Sequence, residues 1–205
     1  MNSILSCYTT FEKDYESCFW IIHVARFGRT CYAVLSFSSG LLWCLMDCVL
    51  GIESSCDDTS VAVYHTKHGL LAQESASSAT RCAPHGGVVP EIASREHARS
   101  VVALTESVLT NATIHKSDIQ GIAYTAGPGL IGGLIVGASF ASSLAMSLGI
   151  PALGVHHLEA HLMAIFLEDH VPPFPFLGLI ISGGHTLWVD IQSFGHYTIL
   201  GSTLD

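Results

Sequence analysis

One segment of the chain occurs twice, and this duplication constrains the fold more than any other feature of the sequence. Leu50-Gly51 recurs as Leu177-Gly178, and Thr59 recurs as Thr186, at one constant offset. In both copies a turn of small residues connects two apolar stretches. The first copy reads LGIESSCDDTSVAV and the second reads LGLIISGGHTLWVD. A repeat of this kind predicts two related sheet units.

The regions around the two copies differ in length. From the start of the first copy, apolar periodicity predicts three strands, a helix, a strand, a helix, a strand and a helix. That order implies an α/β fold with a mixed sheet. The predicted strands are 49–53, 60–65, 70–77, 119–125 and 152–155, and the predicted helices begin at Pro90 or cover 130–148 and 156–167. The second copy has only three predicted strands, 176–182, 186–191 and 197–201, before the chain stops at Asp205.

Composition leaves two explanations for an apolar chain with few charges. Hydrophobic residues make up 49% of the sequence and charged residues 12%, against roughly 25% charged residues in an ordinary soluble domain. Either the protein enters a membrane, or the chain is a fragment whose missing part covers apolar surface. The segment 130–148 is long and apolar enough to be considered as a membrane span. Its neighbours have the pattern of a soluble sheet, so we expect no membrane association.

The first 45 residues show neither a clean period nor a motif. Met46 lies three residues before a strong predicted strand and resembles a natural start. We therefore expect 1–45 to be an upstream extension or the product of a mis-set start codon. The chain has seven cysteines, no C-x-x-C pair and no clear secretory signal, which indicates a reducing, cytoplasmic location.

The distribution of charge limits which partners this chain can bind by itself. The formal net charge is −9, and every Lys and Arg lies at or before Lys116. Basic residues dominate affinity for a phosphate backbone. If the substrate is a nucleic acid, the basic surface must therefore come from other residues or from partners.

Two histidines form the first candidate site. His157 and His161 are the only histidines four residues apart among the twelve in the chain, and residues at this spacing share a helix face. Two neutral imidazoles there can bind one transition metal, although histidines on a helix usually face water. Glu159 is two residues from each histidine and would point away from them. This arrangement argues against the general base of a zinc peptidase.

A glycine-rich loop forms the second candidate site. The segment 127–133, GPGLIGG, follows a predicted strand and opens a helix. Bare N–H groups at a helix N-terminus favour phosphate, but glycines also allow a helix and a strand to pack closely. The two interpretations remain open. A dinucleotide site also needs an acidic residue about 20 residues further on, and no Asp or Glu occurs between Asp118 and Glu159.

The repeated turns provide the third candidate site. Segment 182–186, SGGHT, is a small-residue turn whose N–H groups could approach an anion. In a duplicated fold we expect Asp57, Asp58 and Thr59 to oppose this turn across a cleft suited to a nucleotide. Ordinary turn chemistry would also explain the two aspartates. Glu53 ends the first strand beside the same cleft, either holding the loop by hydrogen bonds or facing water.

These motifs together resemble the TsaD family, which modifies tRNA. The resemblance runs from about Val49 to Asp205 and rests on five segments in order. They are GIESSCDDT at 51–59, GGVVPEIASREH at 86–97, YTAGPGLIGGLIVG at 124–137, HHLEAH at 156–161 and LIISGGHT at 179–186. Family members often have Glu where this chain has Asp58 and Thr where it has Ser54.

The resemblance implies a fold, a reaction and a domain division. The fold would be the actin-like ATPase fold of two ribonuclease-H-like units, with the first complete and the second limited to its first strands. The reaction would transfer threonylcarbamoyl from threonylcarbamoyl-adenylate to the exocyclic amine of the adenosine next to the anticodon. The division would be an extension over 1–45, a first domain over 46–171 and the start of a second over 172–205.

The resemblance also implies roles for individual residues. His157 and His161 would bind one iron or zinc ion, and an Asp from a C-terminal region that this chain lacks would complete the site. The expected catalytic residues are Asp57, Asp58 and Glu53, and the expected substrate-binding residues are Ile180, Ile181, Ser182, Gly183, Gly184 and His185. Expected partners are tRNA, a paralogous scaffold subunit and an ATPase subunit. A glycoprotease-type metallopeptidase and an inactive scaffold remain as alternatives. We expect the 205-residue chain alone to show little transferase activity and poor solubility.

Overall fold

The computed structural model describes residues 25–27, 30–32, 46–168, 170–181 and 185–204. Two short strands, β1 (Ala25–Phe27) and β2 (Thr30–Tyr32), pair antiparallel. They lie in the predicted N-terminal extension, most of which is outside the described residues. The predicted boundary at Met46 therefore stays a prediction.

A five-stranded mixed sheet forms the first unit. Strands β3 (Cys48–Glu53), β4 (Asp58–His65) and β5 (Gly69–Ser77) make an antiparallel meander, and β6 (Gly121–Gly127) and β7 (Ala152–His156) continue it in parallel, in the order β5-β4-β3-β6-β7. Parallel neighbours need crossover connections. These are supplied by α2 (Pro90–Asn111), which follows the one-turn helix α1 (Ala79–Cys82), and by α3 (Ile131–Leu148). The predicted order of strands and long helices is confirmed.

A short helix and a three-stranded sheet follow. Helix α4 (His157–Met163) continues as a 3-10 turn over Ala164–Leu167. Strands β8 (Phe176–Ile181), β9 (His185–Ser193) and β10 (His196–Leu204) form an antiparallel sheet in the order β10-β9-β8. The predicted helix over 156–167 is therefore shorter than expected, because His156 ends β7 and the last turn tightens, with Glu168 N–H donating to the Ile165 carbonyl.

The pairing of strands confirms the duplication at the level of individual residues. Strands β8, β9 and β10 repeat the pairing of β3, β4 and β5 at the offset seen in the sequence. Corresponding pairs are Leu50↔Val63 and Leu177↔Asp190, Glu53↔Ser60 and Ile180↔Leu187, and Thr59↔Ala76 and Thr186↔Thr203. Because a slip of one residue would exchange the two faces of a strand, both copies present corresponding residues to corresponding faces.

Each face of the five-stranded sheet has its own apolar core. On one face Leu50, Ile52 and Val61 pack with residues of α2 and α3. On the other face Val49 and Ala62 belong to one cluster with α4 and the second sheet. Helix α3 is long and apolar enough to cross a membrane by length and composition. In this fold it packs against α2 and β6 as a crossover helix.

The outer face of the second sheet explains part of the apolar composition. Leu50 is 0% exposed under the helices of the first unit, whereas its counterpart Leu177 is 58% exposed. Leu179, Ile181 and Trp188 are also exposed on β8 and β9. Within the described residues, no helix covers the second sheet as α2 and α3 cover the first.

Candidate functional site

The two histidines of α4 lie side by side, as their spacing predicts. The Nε2 atoms of His157 and His161 are 3.1 Å apart, and the ring centroids are 4.5 Å apart with the planes at 81°. Residues four apart on an α-helix occupy one face. Both rings therefore direct the same nitrogen toward one point.

The spacing of these nitrogens fits a shared metal ion. Metal–imidazole bonds of about 2.0–2.1 Å place two ligand nitrogens roughly 3 Å apart. Burial, followed by the charge of His157, lowers the pKa of His161 from 6.5 to about 4. The His161 ring is therefore neutral at physiological pH, as a metal ligand must be. Within the described residues, no group of three His, Cys, Asp or Glu side chains could hold a metal.

Glu53 joins this histidine pair to the turn of the first repeat. It is the last residue of β3, and only 7% of it is exposed. Ser55 N–H donates to Glu53 Oε1 at 2.5 Å, and the hydroxyl of Thr125 on β6 donates to Oε2. His157 Nδ1 lies 3.4 Å from Oε2 and 3.2 Å from Ser55 Oγ. Periodicity does not predict the contact of Thr125 with Glu53, which depends on the pairing of β3 with β6, or the contact of Ser55 with His157, which depends on where α4 begins.

His97 fixes the same turn from the opposite side. It is a fully buried residue of α2, with Nδ1 2.7 Å from Thr59 Oγ1 and Nε2 3.0 Å from the Cys56 carbonyl oxygen. The sequence places His97 on the apolar face of α2 but predicts no role for it. A histidine at a core position of an amphipathic helix is the signal that could have identified this contact, because buried polar groups need partners.

The glycine-rich loop packs directly against that turn. A Cβ on Gly129 would lie 2.5 Å from the Ser55 carbonyl oxygen, and a Cβ on Gly133 would lie 2.2 Å from that of Ser54. Leu130 N–H also donates to the Ser55 carbonyl at 2.6 Å. Of the two interpretations open from the sequence, these contacts support close packing.

The two predicted catalytic aspartates follow Cys56 at the end of the turn. Asp57 is half-buried, and its backbone carbonyl accepts from Ser78 N–H at 2.9 Å. Asp58 is the first residue of β4. Desolvation of the sulfur, followed by the charge of Asp57, raises the pKa of Cys56 to about 11. The Cys56 thiol is therefore protonated near neutral pH and is a poor nucleophile, while the catalytic roles of both aspartates remain predictions.

The predicted substrate segment is only partly described. Ile180 lines a cavity of about 110 Å³ between α4 and the second sheet. Ile181 lies on the opposite face and is 65% exposed, since neighbouring strand residues alternate. Ser182, Gly183 and Gly184 lie outside the described residues, and His185 begins β9. The opposition of this segment to Asp57 and Asp58 therefore stays a prediction.

Glu159 lies on the cavity side of α4. It lines the cavity and hydrogen-bonds Tyr197, whose pKa is raised mainly by burial and then by the Glu159 carboxylate. His157 and His161 are not among the residues that line this cavity. These contacts agree with the expectation that Glu159 points away from the histidine pair, and they give the peptidase alternative no support.

Comparisons with known proteins point to one family. The family model described as "TsaD: tRNA N6-adenosine threonylcarbamoyltransferase" matches residues 69–205. A tRNA N6-adenosine threonylcarbamoyltransferase of Vesicomyosocius okutanii is 54% identical over 156 residues, which are 76% of this chain and 46% of that protein. One of Legionella pneumophila (strain Corby) is 55% identical over 157 residues, 77% of this chain and 47% of that protein. The chain thus spans about half the length of these curated relatives.

One solved structure supports the fold. YeaZ from Pseudomonas aeruginosa superposes with a TM-score of 0.50 and 22% sequence identity, covering 78% of this chain and 67% of that one. This likeness, together with the repeated strand pairing, agrees with the predicted actin-like fold of duplicated ribonuclease-H-like units.

Proposed function

The chain belongs to the TsaD family, and on that premise we propose that it forms the metal-binding first half of a tRNA threonylcarbamoyltransferase. The reaction moves threonylcarbamoyl from threonylcarbamoyl-adenylate to the exocyclic amine of the adenosine next to the anticodon. The observation that carries the proposal is the 3.1 Å separation of His157 Nε2 and His161 Nε2. In a member of this family, we interpret two imidazole nitrogens at that separation as two ligands of one ion.

We propose iron or zinc as the ion, with His157 and His161 as ligands and an Asp from a C-terminal region as the third. Both metals accept imidazole nitrogen. When bound, the metal supplies a Lewis acid that stabilises negative charge on the carbamoyl oxygen and on the phosphate leaving group. The neutral His161 and the buried position of Glu53 support this assignment.

Side chains and backbone groups of this chain have the other proposed roles, which are positioning and substrate binding. Glu53 and Ser55 hold His157 by the contacts to its Nδ1. His97 fixes the turn that carries Asp57 and Asp58. We propose that Asp58 orients the incoming amine and that the segment from Ile180 to Gly184, with His185, binds the substrate through its backbone N–H groups.

We propose that the protein acts in the cytoplasm. We also propose that the positive charge needed to bind tRNA comes from other subunits or other residues. Four described basic side chains already make ion pairs. Arg95 pairs with Glu91, Arg81 and Arg99 both pair with Glu96, and Lys67 pairs with Asp47. Binding to a phosphate backbone needs positive charge that is available to the phosphates. We therefore propose that partner subunits, a paralogous scaffold and an ATPase, contribute to tRNA binding.

A hybrid enzyme tests the proposed function. Residues 46–205 would be joined to the C-terminal half of the Legionella pneumophila relative and assayed with synthetic threonylcarbamoyl-adenylate, unmodified tRNA and the partner proteins. Mass spectrometry of tRNA nucleosides should show N6-threonylcarbamoyladenosine. His157→Ala or His161→Ala should reduce the rate on the order of 100-fold or more. This loss is larger than is typical when a residue that hydrogen-bonds a metal ligand is replaced.

His170→Ala is the matched control, because His170 is exposed on the loop after α4. It should leave the rate unchanged. An active hybrid that loses nothing with His157→Ala would remove the histidine pair from the mechanism. A folded hybrid that binds metal but forms no product would contradict the proposed reaction.

A further inference from the structure

The two oxygens of Glu53 have partners of different kinds. Oε1 accepts from Ser55 N–H, a backbone group that can only donate. Oε2 accepts from the Thr125 hydroxyl and also faces His157 Nδ1 at 3.4 Å. Glu53 is 7% exposed and lies at the end of a central strand. Its orientation is therefore set by the backbone of the turn and by β6.

A carboxylate in this orientation selects one form of the imidazole. A neutral histidine has a proton on one ring nitrogen and a lone pair on the other. Because an ionised Oε2 can only accept, its position 3.4 Å from Nδ1 favours the proton of His157 on Nδ1, and the Ser55 hydroxyl at 3.2 Å can also accept from that nitrogen. Nε2 then has a lone pair that can accept a hydrogen bond from His161 Nε2–H, 3.1 Å away.

We propose that Glu53 is a positioning residue that fixes His157 as the Nδ1–H tautomer and thereby keeps its Nε2 lone pair available to an ion shared with His161. The inference rests on the proposed function, because the proposed metal ion is what requires the Nδ1–H tautomer of His157. Histidines that bind metals commonly donate the other ring N–H to a carboxylate. Glu53 thus acts on the metal site through His157 and need not contact the substrate.

Replacing Glu53 by Gln gives a sharp test, because the amide has to reverse the tautomer. Ser55 N–H still requires an acceptor, so the Gln oxygen takes the place of Oε1. The amide NH₂ then replaces Oε2 and donates toward His157 Nδ1, which must accept. His157 is then driven to carry its proton on Nε2, so that this nitrogen has no lone pair for a metal.

The tautomer can be measured directly on the metal-free 205-residue chain by ¹⁵N correlation spectra of the imidazole rings, with His157→Gln assigning the signal. The expected result is Nδ1–H in the unchanged chain and Nε2–H in Glu53→Gln. Nε2–H in the unchanged chain would overturn the proposal. Retention of Nδ1–H in a folded Glu53→Gln variant would also overturn it, since an acceptor other than the Glu53 carboxylate would then hold the proton.

Ser55→Ala keeps the test decisive if Glu53→Gln does not fold. This variant removes the hydroxyl that lies 3.2 Å from His157 Nδ1 while retaining the Ser55 N–H that holds Glu53. Persistence of the Nδ1 proton in Ser55→Ala supports Glu53 as its acceptor. Loss of that proton overturns the proposal.

Metal affinity gives a second readout. Competition with a chromophoric chelator should show Zn²⁺ binding about 10–100-fold weaker in Glu53→Gln, the range typical of outer-shell partners. Thr125→Val is the matched control, because it removes one hydrogen bond to Oε2 and keeps the carboxylate, so the affinity should fall far less. Equal affinity in Glu53→Gln and the unchanged chain would overturn the proposed coupling. If the unchanged chain binds neither Zn²⁺ nor Co²⁺, the metal site of the proposed function fails, and the tautomer result is judged by the spectra alone.

Discussion

A Cβ atom on Gly133 would lie 2.2 Å from the carbonyl oxygen of Ser54, and the Ser54 hydroxyl donates to the Gly133 carbonyl at 2.9 Å. Helix α3 therefore meets the turn after β3 at backbone distance. No side chain fits at this contact unless the backbone moves. The same turn lies between α3 and His97, so the packing of two crossover helices depends on it.

Gly133→Ala should destabilise the protein by about 1–3 kcal/mol, the usual cost of overpacking a tight contact. The free energy of unfolding from denaturant titration measures this change. Gly87→Ala is the control, because nothing lies within 4 Å of a Cβ at Gly87. A Gly133→Ala variant as stable as the control would mean that the helix and the turn are not in contact.

His97→Ala should cost about 2–4 kcal/mol, because it opens a buried cavity and removes the hydrogen bonds to Thr59 and Cys56. Thermal or denaturant unfolding provides the measurement. His85→Ala changes an exposed histidine and should stay within about 0.5 kcal/mol of the unchanged chain. Equal losses in both variants would contradict the bridging role of His97.

The two copies of the repeat should respond differently to the same substitution. Leu50→Ala should cost about 2–5 kcal/mol, since Leu50 is fully buried under the helices. Leu177→Ala, at the corresponding position of the exposed face, should change stability by about 0.5 kcal/mol or less. A large loss on Leu177→Ala would show that this face of the second sheet is covered in solution.

The metal-free protein should lose stability as the pH falls from about 6.5 toward 4. The pKa of His161 is lowered to about 4 in the folded state, so the unfolded chain binds its proton at a higher pH than the folded chain does. Unfolding is then favoured by up to about 1.4 kcal/mol per pH unit in that window. Denaturant titrations at several pH values should show a smaller slope in His161→Gln, and identical slopes would contradict the lowered pKa.

Cys56 should react slowly with iodoacetamide at pH 8 although it is exposed. Desolvation and the charge of Asp57 raise its pKa to about 11, so little thiolate is present. Peptide mapping by mass spectrometry measures the rate at this one thiol. Asp57→Asn should accelerate the reaction, whereas Glu106→Gln, which removes a charge from an exposed residue of α2, should not. A rate unaffected by Asp57→Asn would exclude its charge as a cause.

The spacing of residues in the sequence predicts part of the candidate site, whereas the contacts of Glu53 could not be predicted from it. The interval between His157 and His161 places both rings on one face of a helix, because helix geometry is local. Glu53 is identifiable as a candidate at the end of a predicted strand. Its contacts with Thr125 and His157 depend on which strands pair and on where α4 begins, and no local pattern encodes either.

The sequence by itself determined the duplication, the order of the strands and long helices, and the pairing of the two histidines, because these follow from short-range periodicity and from a repeat at a constant offset. Only the tertiary structure decided that the glycine loop packs against the Ser54–Ser55 turn and that His97 supports this turn. It also decided which face of the second sheet is exposed. These relationships join residues far apart in the chain, and their energies arise from close packing and buried hydrogen bonds that exist only once the strands and helices are assembled.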